Sequence, residues 1–408
     1  MNSVTLAGTR RTSPKDMIKL IRSTFYKEDE TKQKLTDFIM RASQLSMGEQ
    51  CRIFEESFAK KQGRRFALLV NSGSSANLVL LRALLNLGRI KQNDVVGFSA
   101  LTWATNVMPI MELSLVPHAL DCEVNTLNLS PALLEQALPK LKVLFITNVL
   151  GLCDDIQKIR DMCKTAGVIL LEDNCEGLGS QTDGTLLGNF GLASTFSFFV
   201  GHHLSTIEGG MIVTDDEELH EMMTMVRAHG WDRNLPPEGQ DRLRKTHGVD
   251  DFFAKYTFYD LAYNVRPTEI TGFIGNTQLP YLDEMITIRQ ANYTRMNAAI
   301  VQNSDYRPLA VDHMDTISSF AIPVVCRDEE TLAKHKKRFI EHEVEVRPII
   351  AGDMTRQPFY KKYAPKDATP CPNTHLVHTN GFYFGNNPDM PEEELVVLES
   401  LLAPEKST

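Results

Sequence analysis

The sequence has no disulfide pattern and no long apolar run. Its seven cysteines lie at positions 51, 122, 153, 163, 175, 326 and 371, an odd number without a CxxC pair. This spacing favours reduced thiols over a disulfide framework or a zinc site. No segment reaches the roughly 18 to 20 consecutive apolar residues of a membrane helix, and residues 1–5 start neither a basic nor an apolar leader. We therefore expect a soluble, cytoplasmic protein with no membrane partner.

The charge balance and the composition exclude two further classes of protein. The chain has 408 residues, with 52 acidic against 43 basic side chains and a net charge of -9. Duplex nucleic acid is bound by clustered Lys and Arg, so we expect no nucleic-acid partner. The 24 Gly and 19 Pro are too few and too aperiodic for a collagen-like or disordered chain. A globular protein of this length is expected to contain two domains.

Between about residues 65 and 230, short aliphatic or β-branched runs alternate with amphipathic segments. The alternation predicts helices over 75–87 and 155–166, and strands at 66–70, 94–98, 142–146, 168–173, 194–198 and 211–214. Apolar runs of this kind are typical of a mostly parallel sheet that is covered by helices on both faces. The fold class is therefore α/β.

The remainder of the chain predicts a second, smaller unit. Residues 231–263 have no clean period and predict a long surface excursion. A helix over 282–301 and strands at 320–325 and 344–347 then predict a small α/β domain. We expect a large domain over residues 1–280, which includes an N-terminal helical segment, and a C-terminal domain over 281–408.

The first site signal is the turn Asn71–Asn77, which lies between a predicted strand and a predicted helix. Gly73 lets backbone N–H groups converge and Ser74 adds a hydroxyl donor, while the helix N-terminus contributes partial positive charge. Together these groups suit a phosphate. Ordinary N-capping of a helix explains the same residues and stays open at this point.

The second signal lies at the carboxyl end of an apolar strand, where Asp173 is followed by Glu176. In open α/β sheets ligands bind at that end of the strands. A carboxylate buried there needs a cation or hydrogen-bond donors. A structural ion pair is the alternative interpretation.

The third signal follows another strand, which carries Ser197 and leads to the pair His202–His203. Adjacent side chains point apart on a regular backbone and no third ligand has a metal-like spacing, so we expect no metal here. Two structural histidines remain the alternative.

The order of these signals, with the aromatic Trp103 between the first two, resembles the DegT/DnrJ/EryC1/StrS sugar aminotransferase family over nearly the whole chain. The resemblance implies a fold-type I fold, like that of aspartate aminotransferase, and pyridoxal or pyridoxamine 5'-phosphate as the cofactor. It implies that Gly73, Ser74 and Ser197 hold the phosphate. It also implies that Trp103 stacks on the cofactor ring and that Asp173 pairs with the pyridine nitrogen.

One position departs from the usual pattern of the family, because His202 stands where the cofactor-binding lysine is expected. An imidazole cannot bind the cofactor covalently as an amine does, but it can exchange a proton near pH 7. The segment is similar to that of the dehydratase branch of the family. In that branch Glu176 matches a position that contacts the ring hydroxyl of the cofactor.

The resemblance to this branch implies a reaction and its partners. His202 is expected to act as the catalytic base and acid that removes the 3-hydroxyl of a nucleotide-linked 4-keto-6-deoxyhexose, with GDP-4-keto-6-deoxy-D-mannose as the implied substrate. The product is a 4-keto-3,6-dideoxy sugar, and L-glutamate restores the amine form of the cofactor. The residues do not specify the nucleotide or the sugar, and heptose substrates stay open.

The resemblance further implies a homodimer with shared active sites, in which Asn264 reaches the cofactor phosphate of the neighbouring subunit. Arg347 and Arg356 are candidate ligands for a diphosphate or for the glutamate carboxylate. Arg266 and His203 are candidate contacts for the substrate. For Asn264, Arg347, Arg356 and His203, a purely structural role is the alternative.

Three other functions remain as alternatives. A dehydratase of CDP-linked sugars has a histidine at the same position and binds an iron–sulfur cluster, but the cysteines here show no clustered quartet. A non-catalytic relative would bind nucleotide sugars or cofactor as a sensor, and would have no need for Asp173 as a partner of the ring nitrogen. An ordinary aminotransferase needs the lysine that His202 replaces.

Overall fold

The structure is a computed structural model that describes residues 17–367 and 369–404. Its strands, in chain order, are β1 Phe66–Val70, β2 Val95–Ser99, β3 Val116–Leu120, β4 Val143–Thr147, β5 Ile169–Asp173, β6 Gln181–Thr182, β7 Thr185–Leu186, β8 Ala193–Ser197, β9 Gly210–Thr214, β10 Met314–Thr316, β11 Ala321–Val325, β12 Val346–Pro348 and β13 Gly381–Gly385.

The α-helices surround these strands. In chain order they are α1 Glu28–Arg41, α2 Glu49–Gln62, α3 Gly73–Asn86, α4 Ala104–Glu112, α5 Pro131–Ala137, α6 Ile156–Ala166, α7 Glu217–Arg227, α8 Pro237–His247, α9 Asp251–Ala254, α10 Glu269–Gln278, α11 Leu282–Gln302, α12 Glu329–Glu341, α13 Pro358–Tyr363, α14 Pro372–Asn380 and α15 Glu392–Leu402. Single 3-10 turns lie at Leu138–Lys140, Val149–Gly151, Leu279–Tyr281 and Met354–Arg356. None of the helices in the described ranges is long and apolar enough to cross a membrane.

The central element is a seven-stranded sheet with the order β1-β9-β8-β5-β4-β2-β3. β9 runs antiparallel to both of its neighbours, and the other six strands share one direction. The predicted α/β fold with a mostly parallel sheet is confirmed. Every residue of β4 is buried, as expected for a strand covered on both faces. The edge strand β3 was not predicted, since Pro117 and His118 interrupt its apolar pattern.

A second sheet lies in the C-terminal part of the chain, where β13 pairs antiparallel with both β11 and β12. The hydrophobic core beneath it also includes Ile18, Leu101 and Val149 from earlier in the chain. A third small sheet has the order β10-β6-β7. The boundary at residues 280 and 281 stays a prediction.

Part of the predicted surface excursion over 231–263 is helical. α8 begins with Pro237 in its first turn and ends at Gly248, whose φ of 60° is left-handed. Leu243 is the one large apolar side chain among its eleven residues, so no apolar stripe marked the helix in the sequence. The next residues expose several large apolar side chains, among them Phe252, Phe253 and Tyr256.

Glu172 and Asp173 are neighbours at the carboxyl end of β5. Their side chains point to opposite faces of the sheet, because successive side chains of a strand alternate. Glu172 is fully buried. It accepts hydrogen bonds from the backbone N–H groups of Gly188, Phe190 and Gly191 at 2.7 to 2.8 Å. The amide of Asn148 donates a fourth bond at 3.1 Å. Glu172 therefore anchors the loop after β7, and the other carboxylate, Asp173, points to the opposite face.

We expect Glu172→Ala to destabilise the fold strongly, because it leaves three buried backbone N–H groups without an acceptor and removes one of the two acceptors of the Asn148 amide. Each buried donor without a partner costs about 1 to 3 kcal/mol, so the free energy of unfolding in urea should fall by at least about 3 kcal/mol. Glu393→Ala, on the exposed side of α15, is the matched control and should change it by less than about 0.5 kcal/mol. Equal effects of the two substitutions would contradict this account.

Candidate active site

A cavity of about 320 Å³ lies at the carboxyl ends of β1, β4, β5 and β8. Because these strands share one direction, the segments that follow them meet at one edge of the sheet. Seven of the predicted site residues line this cavity together: Gly73, Ser74, Trp103, Asp173, Glu176, Ser197 and His202. They come from four separate stretches of the sequence.

The turn after β1 forms an anion-binding corner. Ser72 caps α3 by accepting a hydrogen bond from the N–H of Ser75 at 3.1 Å. The N-capping interpretation is therefore correct for Ser72, while Gly73 and Ser74 face the cavity. A Cβ on Gly73 would lie 2.7 Å from the Cβ of Ser197, so only glycine allows this close approach of helix and strand. The corner combines a helix N-terminus with two serine hydroxyls, which suits a phosphate.

Asp173 lies on the wall of the cavity and is only 4% exposed. Its Oδ2 accepts hydrogen bonds from the amide groups of Asn77 at 2.9 Å and Asn106 at 3.3 Å. Its Oδ1 accepts one from the backbone N–H of Cys175 at 3.1 Å. In residues 17–367 and 369–404 no Lys, Arg or His forms an ion pair with it. The carboxylate is held by neutral donors and can pair with a cationic group in the cavity.

Glu176 is buried on the same wall, and its Oε2 accepts a hydrogen bond from the backbone N–H of Leu150 at 2.8 Å. Burial raises the pKa of Glu176 to about 8, and the charge of Asp173 adds to the shift. The carboxyl therefore keeps its proton near neutral pH. A protonated carboxyl can donate a hydrogen bond to a ligand oxygen.

The imidazole of His202 is packed between aromatic rings. Its ring centroid lies 5.9 Å from that of Phe199 and 5.2 Å from that of Phe320, and its Nδ1 is buried without a hydrogen-bond partner in the described residues. Burial lowers the pKa of His202 to about 4, against an opposing interaction with the backbone of Ser197. The ring is therefore neutral at pH 7 and able to accept a proton. No lysine is among the described residues that line the cavity.

Three other predicted residues lie outside the cavity. His203 is buried, and its Nε2 donates to the carbonyl of Ser318. Asn264 pairs with Ala228 in an isolated β-bridge, and its Oδ1 accepts a hydrogen bond from Nε of Arg266 at 3.0 Å. None of the three lines the cavity of its own chain, so their predicted roles stay predictions.

The two C-terminal arginines also lie outside the cavity. Arg347 forms an ion pair with Glu345. Arg356 donates to the ring of His375 at 3.0 Å. Each therefore has a partner within its own chain, and their predicted contacts with a diphosphate or glutamate stay predictions.

The sequence analysis missed the opposite wall of the cavity. This wall consists of Leu20 and Ile21 from the N-terminal segment and of Phe320, Ile350 and Tyr383 from the C-terminal part. Leu20 is held there by a hydrogen bond from its N–H to Glu345 at 2.9 Å. These are apolar or aromatic residues in ordinary local patterns, and no motif in the sequence marked them.

All seven cysteines are free thiols, and six of them are buried. The described residues contain no group of three or more His, Cys, Asp or Glu side chains that is close enough to hold a metal ion. This arrangement of thiols gives the iron–sulfur alternative no ligand set.

Comparison with known proteins places these features in context. The family model for the DegT/DnrJ/EryC1/StrS aminotransferase family matches residues 26–401. The chain is 31% identical over 383 residues to the GDP-4-keto-6-deoxy-D-mannose 3-dehydratase of Escherichia coli O55:H7, covering 92% of this chain and 97% of the relative.

Two solved structures are similar in both sequence and shape. The E. coli GDP-4-keto-6-deoxy-D-mannose 3-dehydratase with bound hydrated PLP superposes with a TM-score of 0.86 at 31% identity, covering 95% of this chain and 100% of that one. A GDP-4-keto-6-deoxymannose 3-dehydratase with a trapped PLP-glutamate adduct gives 0.84 at 29% identity, covering 94% and 99%.

The sheet order and the strand-end cavity, together with these superpositions, define the fold of the fold-type I pyridoxal-phosphate enzymes. Within that class, the chain belongs to the DegT/DnrJ/EryC1/StrS aminotransferase family.

The raised pKa of Glu176 predicts how stability depends on pH. Its folded pKa of about 8 lies above the ordinary 4.5, so between these values the folded state holds a proton that the unfolded state lacks. Its contribution to stability is therefore present below pH 4.5 and is lost as the pH rises toward 8. The slope for this group is at most about 1.4 kcal/mol per pH unit.

We expect Glu176→Gln to remove this dependence, because the amide does not titrate and can still accept from Leu150. The measurement is the free energy of unfolding in urea at pH 5, 6, 7 and 8 for both proteins without cofactor. The free energy of unfolding of the variant minus that of wild type should increase with rising pH. A constant difference would show that Glu176 titrates normally.

Proposed function

We propose that the chain is a pyridoxamine 5'-phosphate-dependent 3-dehydratase of nucleotide-linked 4-keto-6-deoxyhexoses, with GDP-4-keto-6-deoxy-D-mannose as its substrate and a 4-keto-3,6-dideoxy sugar as its product. The similarity to GDP-4-keto-6-deoxy-D-mannose 3-dehydratases supports this activity. The observation that carries the proposal is the imidazole of His202 in a cavity that no described lysine lines. A cavity of this kind favours a cofactor that is bound without a covalent bond to the chain.

The residues of the cavity fit this cofactor. The corner at Gly73, Ser74 and Ser197 suits its phosphate, and Trp103 is 55% exposed at the cavity wall with a face free for stacking. Asp173 lacks a cationic partner in the described part of the chain and matches a protonated pyridine nitrogen. Because that nitrogen stays protonated beside a buried carboxylate, the ring can act as an electron sink.

The side chains of the cavity have separate roles in the proposed reaction. When bound, the cofactor would supply an amine for the ketone at carbon 4 and a ring able to take up an electron pair. His202 is neutral and would accept the proton from the cofactor carbon that bears this amine, and as an imidazolium it would donate that proton to the 3-hydroxyl, which leaves as water. Such general acid–base help contributes about 10² to 10⁴ in rate. Glu176, which is protonated, donates a hydrogen bond to the ring hydroxyl of the cofactor.

The partners of the reaction follow from the same proposal. L-Glutamate restores the amine form of the cofactor. Arg266, Arg347 and Arg356 are the candidate ligands for its carboxylate or for the diphosphate of the substrate, and His203 is a candidate contact of the sugar. We expect the protein to work in the cytoplasm, where its seven unpaired thiols stay reduced.

We expect His202→Asn to slow dehydration by about 10² to 10⁴, because the amide cannot exchange a proton at neutral pH. The assay contains GDP-4-keto-6-deoxy-D-mannose, pyridoxamine phosphate and glutamate, and follows loss of the 3-hydroxyl by mass spectrometry. Cofactor binding, measured by absorbance after dialysis, should be retained. His342→Asn, at an exposed position, is the matched control.

Two results would contradict the proposal. Full dehydratase activity in His202→Asn would show that another group is the base, and borohydride fixation of cofactor to the wild-type chain would show a covalent aminotransferase. The CDP-, UDP- and dTDP-linked 4-keto-6-deoxy sugars, assayed in parallel, test the choice of nucleotide.

We also propose a homodimer in which Asn264 completes the neighbouring site. Asn264 follows a stretch of exposed apolar side chains, among which Phe252 is 81% and Tyr256 is 77% exposed. Exposed apolar patches of this kind mark interaction surfaces. The N–H of Asn71, beside the anion-binding corner, donates to Val265 at 3.0 Å, so the segment that carries Asn264 passes close to the mouth of the site.

Mixing two variants tests this arrangement. Asn264→Ala and His202→Asn should each have low activity as pure proteins. After they are unfolded together, refolded and reassembled in equal amounts, half of the dimers contain both, and one site of each mixed dimer has both native residues. We expect about a quarter of wild-type activity. If Asn264 serves its own subunit, the mixture will be no more active than the sum of its components.

A further inference from the structure

The catalytic base of the proposed reaction lacks the usual device that orients a histidine. Catalytic imidazoles are commonly fixed by a hydrogen bond from the second ring nitrogen to a carboxylate or a carbonyl. Nδ1 of His202 is buried and has no such partner in the described residues. The backbone of Ser197 interacts with the imidazole, but no carboxylate or carbonyl is hydrogen-bonded to Nδ1, so packing must help to hold the ring in one orientation.

Two aromatic rings contact the imidazole. Phe199 belongs to the same loop and is partly exposed, whereas Phe320 precedes β11 in the C-terminal part of the chain. The ring of Phe320 lies 5.2 Å from that of His202 at an interplanar angle of 35°, and 5.7 Å from that of His203 at 88°. Phe320 therefore packs against both histidines of the pair, in a tilted arrangement with His202 and a T-shaped one with His203.

The backbone around Phe320 is fixed on both sides. The N–H of Asn386 donates to the carbonyl of Phe320 at 2.8 Å, and its amide donates to the carbonyl of Ser319 at 2.9 Å. The N–H of Ser318 donates to Oγ of Ser180 at 3.0 Å. Ser318 and Ser319 are fully buried. The phenyl ring thus projects from a segment that has little freedom to move.

The same segment holds the turn that carries His202. Nε2 of His203 donates to the carbonyl of Ser318. Arg289, which is buried, donates to the carbonyl of His203 at 3.0 Å and to that of Asn386 at 3.3 Å. One guanidinium therefore links the histidine turn to the segment after β13.

We propose that Phe320 is a positioning residue for His202, in that its rigidly held ring packs on the imidazole, takes the place of a partner at Nδ1 and fixes the imidazole toward the cavity. This inference rests on the proposed role of His202 as the base. It assigns a function to the contact between the histidine turn and the C-terminal sheet, with His203 and Arg289 as the anchors of that contact.

The phenyl ring also covers part of the half-buried imidazole, which accords with the lowered pKa of His202. Several titratable or charged groups lie on the two sides of the imidazole of His202. On the side of the C-terminal sheet these are His203 and Arg289, and in the cavity they are Asp173, Glu176, Glu208 and Tyr383. Burial also lowers the pKa of His203, so His203 stays neutral over the pH range of the test.

The test compares Phe320→Ala and Phe320→Tyr with wild type. Loss of the ring admits water and frees the imidazole, so in Phe320→Ala we expect the pKa of His202 to rise from about 4 toward its ordinary 6.5. NMR of histidine-labelled protein without cofactor measures this value, with the signal assigned by its absence in His202→Asn. A displacement of about 1 Å at a reacting group costs about 10²-fold, so kcat should fall by about 10- to 100-fold.

Phe320→Tyr keeps the ring and should retain the wild-type pKa and most of kcat. Phe339→Leu is the matched control, since Phe339 is buried in the same C-terminal unit and packs on Phe382 and Phe384. It should leave the His202 signal unchanged. If Phe320→Ala does not fold, Phe320→Leu replaces it with the same expected direction.

Two outcomes would overturn the inference. The first is an unchanged His202 pKa in Phe320→Ala, and the second is a raised KM with unchanged kcat, which would make Phe320 a plain substrate contact. The NMR titration needs no dehydratase activity. If the chain proves inactive as a dehydratase while the His202 pKa still shifts, then the proposed function fails and the contact between the two rings stands.

Discussion

The site depends on the buried carboxylate of Asp173, which has no cationic partner within residues 17–367 and 369–404. Asp173 is held by two side-chain amides and one backbone N–H, which stabilise the ionised carboxylate without neutralising it. Among the residues that the structure describes, the positive partner is missing. The cavity therefore suits a ligand with a cationic ring and a phosphate, since an anion-binding helix terminus lies on one side and a neutral imidazole on the other.

The half of the site that belongs to the parallel sheet could be predicted from the sequence, because strand ends in such a sheet meet at one edge. A carboxylate after the apolar run 168–171 was a visible signal, as was the serine-rich turn after 66–70. Because both residues are acidic, residue type alone does not show which of Glu172 and Asp173 faces the cavity. The alternation of the strand makes one of them a structural anchor and the other a wall of the cavity.

The other half could not be predicted, because it is assembled from parts far apart in the chain. Phe320 and Tyr383 follow the pattern of ordinary buried strands, and Leu20 follows no pattern at all. The arginines at 347 and 356 were chosen by charge alone, and each has a neighbour on the surface of its own chain. The charge of a residue shows which ligands it can bind, but the packing of the fold determines which groups its side chain contacts. β3 and α8 were missed for the related reason that neither has a continuous apolar face.

The position of the N-terminal segment determines when the cavity can form during synthesis of the chain. Leu20 meets the carboxylate of Glu345 across 325 positions, and Leu20 and Tyr383 line the same cavity. Domains generally fold as units while the chain leaves the ribosome, beginning from the N-terminus. A nascent chain can form the central sheet early, but it cannot enclose the cavity before Tyr383 has emerged. The vitamin-derived ligand therefore meets a complete enclosure only after residue 383 has been synthesised.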